Sequence, residues 1–140
     1  MIKRILVPTD GSDHARKAIE IASEIALKYK ATLYLVHVVS PLPTMGGPDI
    51  RRQLEDKQQG LAREILDKAE NEVKNKGVES FESTTLQGYA AEEIIQFARK
   101  SNVDTIIMGS RGAGKLEGLL LGSVSHKVCH LAHCTCMTVK

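Results

Sequence analysis

Val103-Asp104-Thr105-Ile106-Ile107-Met108, running without a break into Gly109-Ser110-Arg111-Gly112, is the stretch on which the fold turns. Its first half is an apolar run too short for a helix and reads as a buried strand. Its second half opens a glycine-rich loop whose small residues extend to Gly122-Ser123-Val124-Ser125. Glycine lets backbone N–H groups converge on an anion, and a helix start beyond it adds unpaired donors and the positive end of a dipole. Strand, glycine loop and helix start therefore point to a phosphate cradle.

The rest of the chain reads as scaffold for that loop. Ile2 to Val7, closed by Pro8, predicts a first strand, and Thr9-Asp10-Gly11-Ser12 is turn chemistry with Ser12 as an N-cap. Ala15, Ala18, Ile19, Ala22, Ile25 and Ala26 recur at helical spacing and predict a helix over 13–29, its alanine face suited to close packing on a sheet. Ala31 to Val39 predicts a second strand, apolar on both faces as buried parallel strands are. The Pro/Gly-rich segment 40–48 is expected to be a mobile surface loop. A charged helix over 49–76 follows, with Ile50, Leu54, Leu61, Ile65, Ala69 and Val73 as its apolar stripe and Gly77 as its stop. Val78 to Leu86 predicts an edge strand, and residues 90–100 a third helix. Residues from Gly122 or Ser123 predict a fourth helix with Val124, Val128 and Leu131 facing inward, and Cys134 to Val139 a last strand.

Strand and helix alternate throughout, so the expected fold class is α/β: a three-layer, doubly wound sheet of five mainly parallel strands. Ligands in such sheets sit beyond the carboxyl ends of the strands, at the switch in strand order. Thr9-Asp10 and Gly109 to Gly112 then lie on one rim.

Composition narrows the function classes. The 140 residues predict one domain, spanning 1–140, with 19 basic and 17 acidic side chains mixed along it. That balance does not indicate nucleic-acid binding, and few aromatics and no Trp argue against a single-strand stacking platform. No window reads as a signal peptide or membrane span, so a cytoplasmic location is expected, with the 3 cysteines as thiols.

Two familiar phosphate motifs fail within the glycine loop. Gly109 to Lys115 has the Walker-type spacing, but Leu116 stands where the hydroxyl that holds Mg²⁺ belongs. The dinucleotide fingerprint fails because Gly112 and Gly114 are followed by Gly118 one residue late. What the chain does carry is Gly109-x2-Gly112-x9-Gly122-Ser123. With Ile5 to Ser12, His37-Val38, Gly88 to Ile94 and Gly122 to Ser125 in order, it resembles the ATP-binding subgroup of the universal stress protein family along its whole length. The resemblance implies strand order 3-2-1-4-5, the adenine-nucleotide alpha-hydrolase-like (Rossmann-like) arrangement. It also implies that the Val38 backbone pairs with adenine, that Pro8, Thr9 and Asp10 line the nucleoside side, and that Gly109, after Met108, lies near the ribose. The N–H groups of Gly112, Gly122 and Ser123 and the hydroxyls of Ser123 and Ser125 would hold the phosphates, with Val124 beside them and Mg²⁺ arriving with the ATP. Arg111 and Lys115 are placed either to meet phosphate or to stay solvated. Asp10 reads equally as a cap on the first helix or as an orienter of ribose or metal.

No base or arginine finger for rapid phosphoryl transfer is visible, so the expected role is a nucleotide-dependent regulatory switch with slow or absent hydrolysis, acting on a protein partner. The alternative is metal binding or redox sensing by His126, Cys129, His130, His133, Cys134 and Cys136, since His126 and His130 stand i, i+4. His37 reads as a core histidine satisfied locally and His14 as a solvated helix residue. The resemblance further implies a homodimer through the last strand, where Thr135 replaces the proline usual in the family.

Overall fold

The computed structural model describes residues 1–112 and 121–140. Within them run β1 (Arg4–Pro8), α1 (Asp13–Tyr29), β2 (Thr32–Val39), α2 (Pro48–Asn75), β3 (Phe81–Gln87), α3 (Ala90–Lys100), β4 (Thr105–Gly109), α4 (Ser123–Leu131) and β5 (Thr135–Val139). The strands form one sheet in the order β3-β2-β1-β4-β5, as expected. Each of its pairings is parallel.

The two-residue period of a strand sorts the core into two layers. Ile5 and Val7 of β1 join Leu33, Leu35, Ile107 and the apolar faces of α1 and α2 on one side of the sheet. Leu6 between them joins Val36, Ile106, Met108 and the faces of α3 and α4 on the other. Strands buried on both faces are near-continuous apolar runs, which is why β1 and β4 were legible without alternation.

Capping fixes where α1 begins. Ser12 accepts the N–H of Ala15 at 3.3 Å, and its fully buried Ala18 and Ala22 let the helix lie close on the sheet. The Thr9–Ser12 turn is laced by its own side chains: Gly11 N–H donates to Thr9 Oγ1 at 3.2 Å and Ser12 N–H to Asp10 Oδ1 at 3.0 Å. Gly11 takes φ +81° there, a conformation costly for any residue with a Cβ.

Two expected core stripes are corrected. On α2 the buried residues are Ala62, Leu66, Ala69 and Val73, whereas Ile50, Leu54 and Leu61 are exposed. Length accounts for Ile50 and Leu54: a 28-residue helix spans ~42 Å while the 8-residue β2 spans ~26 Å, so the first turns of α2 overhang the sheet; Leu61 stands one position off the buried face, beside the buried Ala62. Leu131, expected to face inward, is likewise exposed at the end of α4, where Val128 is the fully buried anchor.

Candidate functional site

The strand order reverses between β1 and β4, and a cavity of about 290 Å³ opens over their carboxyl ends. All twelve residues singled out from the sequence line it: Pro8, Thr9, Asp10, Val38, Met108, Gly109, Arg111, Gly112, Gly122, Ser123, Val124 and Ser125. Ala15, Val36, His37, Ala90 and Ile94 complete the lining. Val36 and Ile94 were legible only as core positions, because no motif marks an apolar wall. Lys115 and Leu116 fall in 113–120, outside the described residues.

The walls differ in chemistry. Val36 and Val38 of β2, Met108 of β4 and Ile94 of α3 offer an apolar surface of the kind that takes a flat ring. The other wall is the start of α4. Its N-cap is Gly122, which has no side chain with which to cap the helix. The first intrahelical bond is His126 N–H to Gly122 O at 3.0 Å, so the N–H groups of Ser123, Val124 and Ser125 have no protein acceptor among the described residues. Those donors and the helix dipole favour an anion placed there.

Ser110 organises this wall although no motif drew attention to it. It is almost fully buried. Its N–H donates to Val139 O at 2.7 Å, its carbonyl accepts Gly122 N–H at 2.6 Å, and Ser125 Oγ donates to the same carbonyl at 2.8 Å. Its hydroxyl meets His14 Nδ1 at 3.0 Å. Two implied phosphate contacts are therefore corrected. The N–H of Gly122 and the hydroxyl of Ser125 are spent inside the protein, pinning α4 to the end of β4. The hydroxyl of Ser123 and the three orphan N–H groups remain.

The glycines also divide by role. A Cβ on Gly109 would lie 2.8 Å from the carbonyl carbon and Cβ of His14 and 2.9 Å from Ala15 N, so glycine is required there by the approach of α1. A Cβ on Gly112 would meet Asp10 Oδ2 at 2.6 Å. At Gly122 a Cβ would meet, among the described residues, only ordinary contacts at 3.5 Å or more, and φ is −71°, so neither packing against those residues nor backbone conformation demands glycine.

The histidines and Asp10 are also settled locally. His14 is half-buried and tied to Ser110, not a solvated helix residue. His37 is half-buried on the cavity wall, and its Nδ1 donates to Thr9 O at 2.8 Å. Asp10 does not cap α1, since Ser12 does; it braces the preceding turn and faces Gly112.

Geometry does not favour the His/Cys alternative. The rings of His126 and His130 stack in parallel with centroids 6.4 Å apart. Among the described residues, no group of three or more His, Cys, Asp or Glu side chains is placed to hold a metal ion. Burial, with Cys129 and Cys134 nearby, pushes the Cys136 thiol up to about 12, and burial with Asp104 raises Cys134. Both are poor sources of thiolate. No described helix is long and apolar enough to cross a membrane.

A wholly parallel, doubly wound sheet with a half-apolar crevice at its switch point and a helix start on the rim defines a Rossmann-like ligand-binding architecture. More particularly, the chain belongs to the universal stress protein family, whose sequence profile matches residues 1–140. It is 36% identical to a universal stress protein of Methanocaldococcus jannaschii over an alignment covering 100% of this chain and 83% of the relative. The universal stress protein UspA of Lactobacillus plantarum superposes with a TM-score of 0.87 at 23% identity, covering 99% of this chain and 97% of that one, a likeness of fold. A universal stress protein crystallised in complex with cAMP has a TM-score of 0.77 at 26% identity, with 99% and 97% covered.

Proposed function

We propose that this chain binds an adenine nucleotide, ATP with its Mg²⁺, in the β1–β4 crevice, and works as a nucleotide-dependent regulatory protein in which hydrolysis is slow or absent. One observation carries the reading: an apolar slot faces a helix start whose N-cap is a glycine with no packing reason to be one among the described residues, and among those residues the N–H groups of Ser123, Val124 and Ser125 have no acceptor. A residue with its own hydroxyl or carboxylate at position 122 would satisfy those donors and compete with the ligand. Val36, Val38, Ile94 and Met108 enclose the base, and the α4 N-terminus with Ser123 takes phosphate oxygens. Mg²⁺ neutralises the phosphates it accompanies. The cAMP complex of a structural relative supports an adenine nucleotide as ligand class, as does the Gly109-x2-Gly112-x9-Gly122-Ser123 spacing.

The regulatory output is a change in the surface seen by a partner when bound nucleotide orders the exposed loop around 41–48. A homodimer through β5 belongs to the same reading, because among the described residues that strand pairs with β4 alone and leaves its outer edge open.

Denaturing the purified protein and identifying released nucleotide by mass spectrometry tests the proposal, beside a control carrying Gly122→Ala and Ser123→Ala. Release of ATP or ADP from the parent alone is expected. Steady-state ATP turnover faster than about 1 s⁻¹, the low end of ordinary enzymes, would overturn the non-enzymatic part.

A further inference from the structure

The sheet edge farthest from β5 presents a surface that nucleotide binding leaves unused. Among the described residues β3 pairs with β2 alone, on one side. Leu33 N–H donates to Ser80 O, and Gly88 N–H to Val39 O. Even-numbered residues of this strand therefore turn their backbone groups toward β2, and by alternation Phe81, Ser83, Thr85 and Gln87 turn theirs outward. Among the described residues, those four have no backbone partner from a loop, turn or helix. The strand, FESTTLQ, carries neither the Lys nor the Pro that commonly blunts an edge.

Beside that edge runs a groove of about 1010 Å³ between β3 and α2. Ala62 and Leu66 supply an apolar floor. Asp56, Asp67 and Glu70 stand along it, with Glu55 paired to Arg51 at 3.2 Å, against the single cation Arg63 among the lining residues. This negative wall belongs to a chain whose formal net charge is +2. Ser83 Oγ donates to Glu70, so helix and strand are already tied across the groove.

We propose that this groove docks an extended, lysine- or arginine-bearing segment of another protein, which adds to β3 as a sixth strand. The outward backbone groups set its register, and charge complementarity selects it. In an added strand every second side chain points to the α2 side. A basic residue at those positions lays its aliphatic stem along Ala62 and Leu66 and reaches the carboxylates with its head. A second copy of this chain is disfavoured as occupant, since pairing β3 with β3 would bring two acidic walls together.

The test is a titration of ¹⁵N-labelled protein with a synthetic peptide of about nine residues alternating lysine and threonine, a length matched to one strand. Saturable shifts centred on β3 and α2 are expected. Amide exchange should slow at least about tenfold at Phe81, Ser83, Thr85 and Gln87, and affinity should fall as salt rises. Asp56→Lys with Asp67→Lys, both exposed, should weaken binding at least about tenfold and leave the remaining spectrum unchanged. Thr85→Pro, checked for fold by circular dichroism, should weaken it by removing an outward donor.

Absence of saturation up to about 2 mM peptide would overturn the proposal, that being too weak for a specific site. Equal binding of the glutamate-for-lysine peptide, or shifts centred on the β1–β4 crevice, would do the same. Concentration-dependent protection of the same four amides without peptide would assign the edge to a second copy and also overturn it.

Discussion

Replacing Gly109 and Gly122 singly by alanine separates the two kinds of glycine around the crevice. The new Cβ at position 109 would lie 2.8–2.9 Å from His14 and the Ala15 nitrogen, more than half an ångström inside the roughly 3.5–4.0 Å of ordinary contact. Those atoms are the first turn of α1, held by the Ser12 cap and by the bond from His14 Nδ1 to Ser110. They cannot rotate away, so relief requires shifting α1 off β4, an overpacking cost of about 1–3 kcal/mol. For a chain of this length that lowers Tm by roughly 3–12 °C. At position 122 the Cβ meets atoms at 3.5 Å, and exchanging a glycine N-cap for alanine costs less than about 1 kcal/mol. Gly122→Asp, whose carboxylate would itself cap the N–H groups at the start of α4, should by contrast lower ATP affinity in calorimetric titration by about tenfold or more, or ~1.4 kcal/mol. Urea unfolding followed by circular dichroism measures the stability arm. A Gly109→Ala protein within about 0.5 kcal/mol of the parent would refute the packing argument, and undiminished ATP affinity in Gly122→Asp would refute the ligand argument.

Other perturbations have signs that follow from the same geometry. Burial raises the pKa of Glu72 against the attraction of Arg16, with Glu20 raising it further and Lys76 opposing, and Glu72 Oε2 is buried without a hydrogen-bond partner among the described residues. A carboxyl whose folded pKa is raised is a liability when ionised. Glu72→Gln should therefore raise Tm at pH 7, and the gain should vanish as pH falls through the folded pKa toward the ordinary value of 4.5. Asp104 is the opposite case: desolvation raises its pKa, but the N–H groups of Lys3 and Arg4 and the Thr105 hydroxyl outweigh it and hold the carboxyl low. Its contribution is present above the ordinary 3.8 and is lost as pH falls through the depressed value, so acid unfolding of Asp104→Asn should be less steep there. Met137 is 37% exposed on the free edge strand β5. Met137→Lys should shift a dimer toward monomer in light scattering after size exclusion, and unchanged mass would refute pairing through that strand.

Much of the site was legible because its parts obey local rules. Thr9-Asp10-Gly11-Ser12 is a turn by composition, Gly109-x2-Gly112-x9-Gly122-Ser123 is a spacing, and the α/β alternation brings both to one rim. Ser110 and His14 were not legible. Each looks ordinary in sequence, and their roles arise from a hydrogen bond between residues 96 positions apart. The exposed stripe on α2 misread for a related reason: helical periodicity reports an apolar face but not whether the sheet beneath is long enough to cover it.

The sequence by itself determined the order of elements, the parallel sheet and the identity of the loops that meet over β1 and β4, because apolar periodicity, turn residues and the handedness of crossovers are local physics. Only the tertiary structure decided which donors remain for a ligand. Gly122 N–H and Ser125 Oγ look available in the motif, yet both are consumed by the carbonyl of Ser110. Hydrogen-bond capacity is used up by whatever folding brings near, and that proximity is a property of the packed chain.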